Sequence, residues 1–130
     1  LPTFAPLTLA ILAPGESVML VEWDGKRGTI GPARTPLISS SSFERDSVEA
    51  ARRDDFVRHR QRGKSLFEFH ASHNPSSGAH SVCMHRDDAE TVSFSWVRVS
   101  GTEVNFFYAP GSPCRWMPGE QQTLELRKAA

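Results

Sequence analysis

From Thr91 to Trp96 the chain alternates, with Val92, Phe94 and Trp96 on one parity and Thr91, Ser93 and Ser95 on the other. Successive side chains of a strand point to opposite faces, so this pattern predicts a strand with one face buried. The neighbouring segments His80–His85 and Glu103–Tyr108 have strand composition, and the connections between the three are short. Short connections favour an antiparallel meander. Val97 and Val99 interrupt the alternation and point to a bulge or to burial of both faces there.

Earlier in the chain a second set of β segments is expected. Leu7–Ala13 is apolar apart from Thr8 and ends at Pro14-Gly15. Its length suits a buried strand or a short helix, and periodicity does not decide. Ser17–Trp23 has strand composition. Asp24-Gly25 suits a tight hairpin turn with positive φ at both central residues, and Lys26–Ile30 returns. Pro36–Ser40 is expected as another short strand.

Two helices are expected between these β regions. The first starts at Asp46, with Glu49 three residues on as a capping-box partner. Val48, Ala51, Phe56 and Val57 form its apolar stripe, Arg58, Arg60 and Arg62 complement its C-terminal dipole, and Gly63 stops it. The second starts at Ser65, with Glu68 at the third position and Leu66, Phe67 and Phe69 to bury. Asn74-Pro75 closes it. The fold class is therefore α+β, with antiparallel sheets and helices packed on one face. The 130 residues make a single domain, 1–130.

Composition narrows the function. With 38% hydrophobic and 23% charged residues the chain is globular, not disordered. Fifteen basic and fifteen acidic side chains cancel, which argues against a nucleic-acid partner. No apolar run approaches the roughly 18 residues a membrane-spanning helix needs, and no signal peptide is recognisable. A cytoplasmic protein is expected. Cys83 and Cys114 make no disulfide framework; free thiols are expected, with one bridge between them as the alternative. Leu1 in place of methionine suggests a cut inside a longer reading frame.

His70, His73, His80 and His85 cluster in sequence, with Cys83 among them. The i, i+3 pair His70 and His73 can share a helix face, and Cys83 and His85 share strand parity, so convergence is geometrically open. The spacing matches no strong zinc signature, and ordinary hydrogen-bonding histidines are expected, with no metal and no cofactor. Cys83 beside His85 has the types a thiol nucleophile needs, yet a cysteine inside a sheet is usually an inert small hydrophobe. The basic stretch Arg58–Lys64 is expected as a solvated helix end and Ser39–Ser42 as a loop. Trp96, Trp116 and the phenylalanines are expected in the core. No Walker motif or Gly-x-Ser-x-Gly elbow occurs.

Three blocks carry a family resemblance: Leu37-Ile-Ser-Ser-Ser-Ser-Phe43 before an Arg-rich helix; Phe69-His-Ala-Ser-His73 with Ala79 through Phe94; and Tyr108-Ala-Pro-Gly-Ser-Pro-Cys114. In this order they resemble the C-terminal half of the NRDE proteins, also called the transport and Golgi organisation family. Val82–Ser93 is the most specific part. The resemblance implies part of an αββα sandwich like that of N-terminal-nucleophile hydrolases, whose terminal nucleophile is absent here. It implies no catalytic residue in this chain, and His73, His85 and Arg86 as polar groups lining a pocket for an unknown small molecule. It implies that the missing N-terminal part of the same protein is a partner, and that the intact protein performs amide hydrolysis or acyl transfer. The alternative is a non-enzymatic carrier of a small ligand such as haem, or a trafficking protein.

Overall fold

A computed structural model of the chain describes residues 4–39, 41, 43–116 and 122–125. In order the elements are β1 (Leu7–Ile11), β2 (Met19–Trp23), β3 (Gly28–Pro32), α1 (Arg45–Gln61), α2 (Leu66–His70), β4 (Ser93–Val99), β5 (Glu103–Pro110), a one-turn 3-10 helix (Pro113–Arg115) and β6 (Gln122–Glu125). The architecture is α+β, with two antiparallel three-stranded sheets ordered β1-β2-β3 and β4-β5-β6. Among the described residues no helix is long and apolar enough to cross a membrane.

The chain forms two compact units. One comprises Leu1–Pro36, Val97–Asn105 and Thr123–Ala130; the other comprises Leu37–Trp96 and Phe106–Gln122.

In the first unit, β1, β2 and β3 pair with Leu9 opposite Val21 and Val21 opposite Ile30. Directly opposed residues share a sheet face, so Leu7, Leu9, Ile11, Val21, Trp23 and Ile30 make one apolar side. That side is open: all five residues of β1 are exposed, and Ile30 is 70% exposed. The β2–β3 connection differs from the expected two-residue turn. Trp23 pairs with Gly28, leaving a four-residue loop in which Asp24 Oδ1 accepts from the Lys26 and Arg27 amides, both at 2.7 Å. The Asp24 side chain thus closes the loop together with the Asp24 amide, which donates to Arg27 O at 3.2 Å, and only Gly25 needs positive φ, at 97°. These two amides also hold the Asp24 carboxyl below the usual carboxylate range.

The second unit has an aromatic core. Phe69 meets Phe56 edge-to-face with centroids 5.2 Å apart, and Phe67 does the same with Phe94 at 5.6 Å and Trp116 at 5.0 Å. Such pairs stabilise by about 0.5–1.5 kcal/mol each beyond area burial. Val48, Phe69, Cys83, Phe94 and Ala109 are buried.

Helix α1 begins two residues before its expected cap at Asp46: Glu44 is the N-cap residue, with φ 36° and no side-chain cap. Glu49 instead pairs with Arg45 at 2.9 Å. The buried residues of α1 are Val48, Asp55 and His59, so its inner stripe is largely polar, while Val57 faces solvent. An apolar pattern cannot find such a stripe: Asp55 Oδ1 accepts from Asn74 Nδ2, 19 residues on, and His59 bonds within the helix to Asp55 O. By contrast, the Ser65–Glu68 capping box of α2 forms as expected, with both reciprocal hydrogen bonds present. His80–His85 is not a strand but a string of turns with a single bridge, His85 to Glu90. Pro36–Ser39 is not a strand either, and Ser40 lies outside the described residues. On β4 only Phe94 is buried; Val92 is 71% and Trp96 45% exposed. Trp96 therefore departs from its expected core position, and β4 runs on through Val97 and Val99 as one strand.

Candidate metal centre

Four donor side chains converge within the second unit. The ligand-capable atoms of His73, Cys83, His85 and Cys114 all lie within 4.8 Å of one another. His85 Nε2 is 3.5 Å from Cys83 Sγ and 3.3 Å from Cys114 Sγ, and the His73 and His85 rings have centroids 5.1 Å apart.

Each donor is held by local structure. His73 follows the α2 C-terminus, where the Ser72 amide donates to Phe69 O at 3.1 Å. The next residue, Asn74, donates through Nδ2 to Asp55 Oδ1 of α1 at 3.0 Å, which fixes the backbone beside His73. Cys83 is fully buried, and its amide donates to Ser72 O at 3.0 Å. The turns that lead into Cys83 are clamped by Arg52 of α1, which donates to Ser81 O and Ala79 O, both at 3.2 Å. Burial of the Arg52 guanidinium lowers its pKa from the ordinary value.

His85 and Glu90 face each other across the 86–89 turn, which is closed by the Arg86 amide on Ala89 O at 2.8 Å. Thr91 ties this turn to the segment before it, since its amide donates to Met84 O at 2.9 Å and its hydroxyl accepts from the Met84 amide at 2.9 Å. Cys114 sits in the 3-10 turn at the end of β5. Gly111 donates its amide to Val92 O at 2.8 Å, and Ser112 Oγ donates to Thr91 O at 2.8 Å. Thr91 therefore carries both segments, and the two cysteines reach one place through it.

The dimensions fit a tetrahedral ion. With Zn–N of about 2.0–2.1 Å and Zn–S of about 2.3 Å, a tetrahedral N···S edge is about 3.5 Å. The two N···S separations at His85, 3.5 and 3.3 Å, lie at and just below that value. Two imidazoles and two thiols form a set suited to zinc and poorly suited to oxygen-preferring cations such as calcium or magnesium. The outer contacts fit as well. If Nε2 ligates, Nδ1 carries the proton and needs an acceptor. His85 Nδ1 is buried with no hydrogen-bond partner, and Glu90 Oε2 stands 3.8 Å away. A carboxylate behind a ligating imidazole is the usual outer-sphere arrangement.

Burial pushes the Cys83 thiol up to about 11, so without an ion it is a neutral group and a poor nucleophile. A bound cation would deprotonate it.

Of the residues expected to line a pocket, His73 and His85 come together. Arg86 is committed elsewhere, ion-paired with Asp88 and placed over the Phe43 ring at 5.5 Å. His70 and His80 lie outside the cluster. His70 stacks on Phe94 at 5.2 Å, and burial lowers its pKa; His80 Nε2 is 3.2 Å from Ser47 Oγ. Cys114 and Glu90 join the site only in the folded chain. Three of the four donors, His73, Cys83 and His85, lie in the histidine-rich stretch of the sequence, whereas Cys114, 29 positions beyond His85, carries no local signal.

Comparison with protein families, curated proteins and solved structures gives no match.

Proposed function

We infer that this chain is a zinc-binding domain in which His73, Cys83, His85 and Cys114 bind one ion. The observation that carries this is the mutual approach of four nitrogen and sulfur donors within 4.8 Å. Four protein donors complete a tetrahedral sphere, so the ion's role is to hold structure, not to activate water. It ties the turns after α2 to the end of β5, two segments with little regular structure of their own. Purified protein, refolded with zinc and dialysed, is expected to hold one zinc per chain. Its cobalt derivative is expected to show the intense visible bands of a tetrahedral ion and thiolate-to-cobalt charge transfer in the near ultraviolet. Retention of no metal, with rapid alkylation of Cys114 instead, would favour a thiol nucleophile served by His85 and Glu90.

A second reading has its own support in the β1–β3 sheet. Its open apolar side suits a layer that is covered in a larger assembly. This favours the chain as the C-terminal part of an NRDE-type protein with an N-terminal-nucleophile-like sandwich. The intact protein would then hydrolyse an amide, transfer an acyl group or carry a small ligand such as haem. Reading the gene upstream of Leu1 tests it. A Met-Cys start followed by Asn-Arg-Asp-Glu supports it, and the added segment should abolish binding of an apolar dye to this sheet. Dye binding unchanged by that segment refutes it.

A further inference from the structure

We propose that the metal centre is redox-controlled: a hydroperoxide joins Cys83 to Cys114 and expels the ion. This rests on the zinc reading above and adds its regulation. The chain has two cysteines, and both are in this one cluster, with their sulfurs within 4.8 Å. Both are free thiols here, and they differ in access: Cys114 is exposed in the 3-10 turn, whereas Cys83 is buried. That asymmetry divides the work between them. The accessible sulfur meets the oxidant, and the sheltered one resolves the product.

The Cys114 thiolate attacks one peroxide oxygen; the O–O bond breaks, and the leaving oxygen takes a proton to become water (or an alcohol, from an alkyl hydroperoxide). Cys114 is then a sulfenic acid. The Cys83 thiolate attacks its sulfur; the S–O bond breaks, and hydroxide leaves with a second proton as water. Two thiolates lose two electrons in total and the peroxide gains them. His73 and His85 remain as the only donors of the set, and two imidazoles hold zinc far more weakly than a complete four-donor sphere, so the ion leaves. A thiol reductant reverses the step by disulfide exchange.

The test starts from protein whose zinc content has been measured, then adds hydrogen peroxide. Zinc release is followed with a chromogenic chelator and the linkage by mass spectrometry of the digest. One zinc released per Cys83–Cys114 disulfide is expected, with rebinding after dithiothreitol and added zinc. The C114H variant, loaded at saturating zinc, has four donors but no second sulfur, and its release is expected to be at least about tenfold slower. Protein that holds no zinc before oxidation overturns the metal reading itself. Protein that holds zinc but keeps it under peroxide, or releases it with sulfinic acids and no disulfide, overturns the redox inference alone.

Discussion

The Nε2 of His85 stands 3.3 Å from the Sγ of Cys114, 29 positions further along the chain. The contact depends on a short ladder in which Thr91 holds Met84 on one side and Ser112 on the other. Replacing a member of the cluster should weaken the hold on the ion directly. Single variants H85A and C114S are expected to lose at least about 100-fold in zinc affinity, since removing a ligand should exceed the 10- to 100-fold cost of losing an outer partner. Competition with a zinc-binding dye measures this. Affinity unchanged in either variant would remove that residue from the site.

Glu90 is expected to act through His85. Glu90→Gln keeps the shape but replaces the carboxylate facing Nδ1 at 3.8 Å. The expected loss is about 10- to 100-fold in zinc affinity, with the tetrahedral cobalt spectrum retained. A variant that binds zinc as tightly as the parent would show that Glu90 is a surface carboxylate and nothing more.

Arg52 links α1 to the turns before Cys83 through two backbone carbonyls. Arg52→Ala leaves those carbonyls without their donor, at about 1–3 kcal/mol if they stay buried. Denaturant unfolding of metal-free protein should register that loss. A variant as stable as the parent would mean that water replaces the guanidinium.

Ser65 caps α2 and forms a complete box with Glu68, whose carboxyl is held below its ordinary pKa by the Ser65 amide. Ser65→Ala is expected to cost about 1 kcal/mol in denaturant unfolding, with zinc stoichiometry unchanged. Loss of zinc in this variant would show that α2 sets the position of His73 more strongly than its hydrogen bonds suggest.

His70 gives a pH dependence of known sign. Burial against Phe94 lowers its folded pKa below the ordinary 6.5. The unfolded chain therefore binds a proton at higher pH than the folded one, and stability falls as pH drops below about 6.5. Above that value the group is neutral in both states and contributes nothing to the slope. His70→Gln should flatten the acid limb of stability against pH; an unchanged slope would assign the acid sensitivity to other groups.

The α2 cap was legible in sequence because all its parts lie within four residues, Ser65 to Glu68, and hydrogen-bond one another. The strand pairs β2–β3 and β4–β5 were legible for the same reason, since adjacent β-rich segments carry the signal locally; the length of the β2–β3 loop and the strand character of β1 were not. The inner stripe of α1 was not, since Asp55 and His59 resemble solvent-facing residues until Asn74 and Phe69 are placed against them.

By itself the sequence determined two helices, the β2–β3 and β4–β5 strand pairs and an α+β class, because propensity, capping and turn chemistry act over a few residues. Tertiary structure decided which elements are covered and which side chains meet. It left the β1 face open and brought His73, Cys83, His85 and Cys114 to one point. The physical reason is that convergence of distant donors is fixed by long-range hydrogen bonds such as Ser112 to Thr91. These make no periodic pattern in the chain.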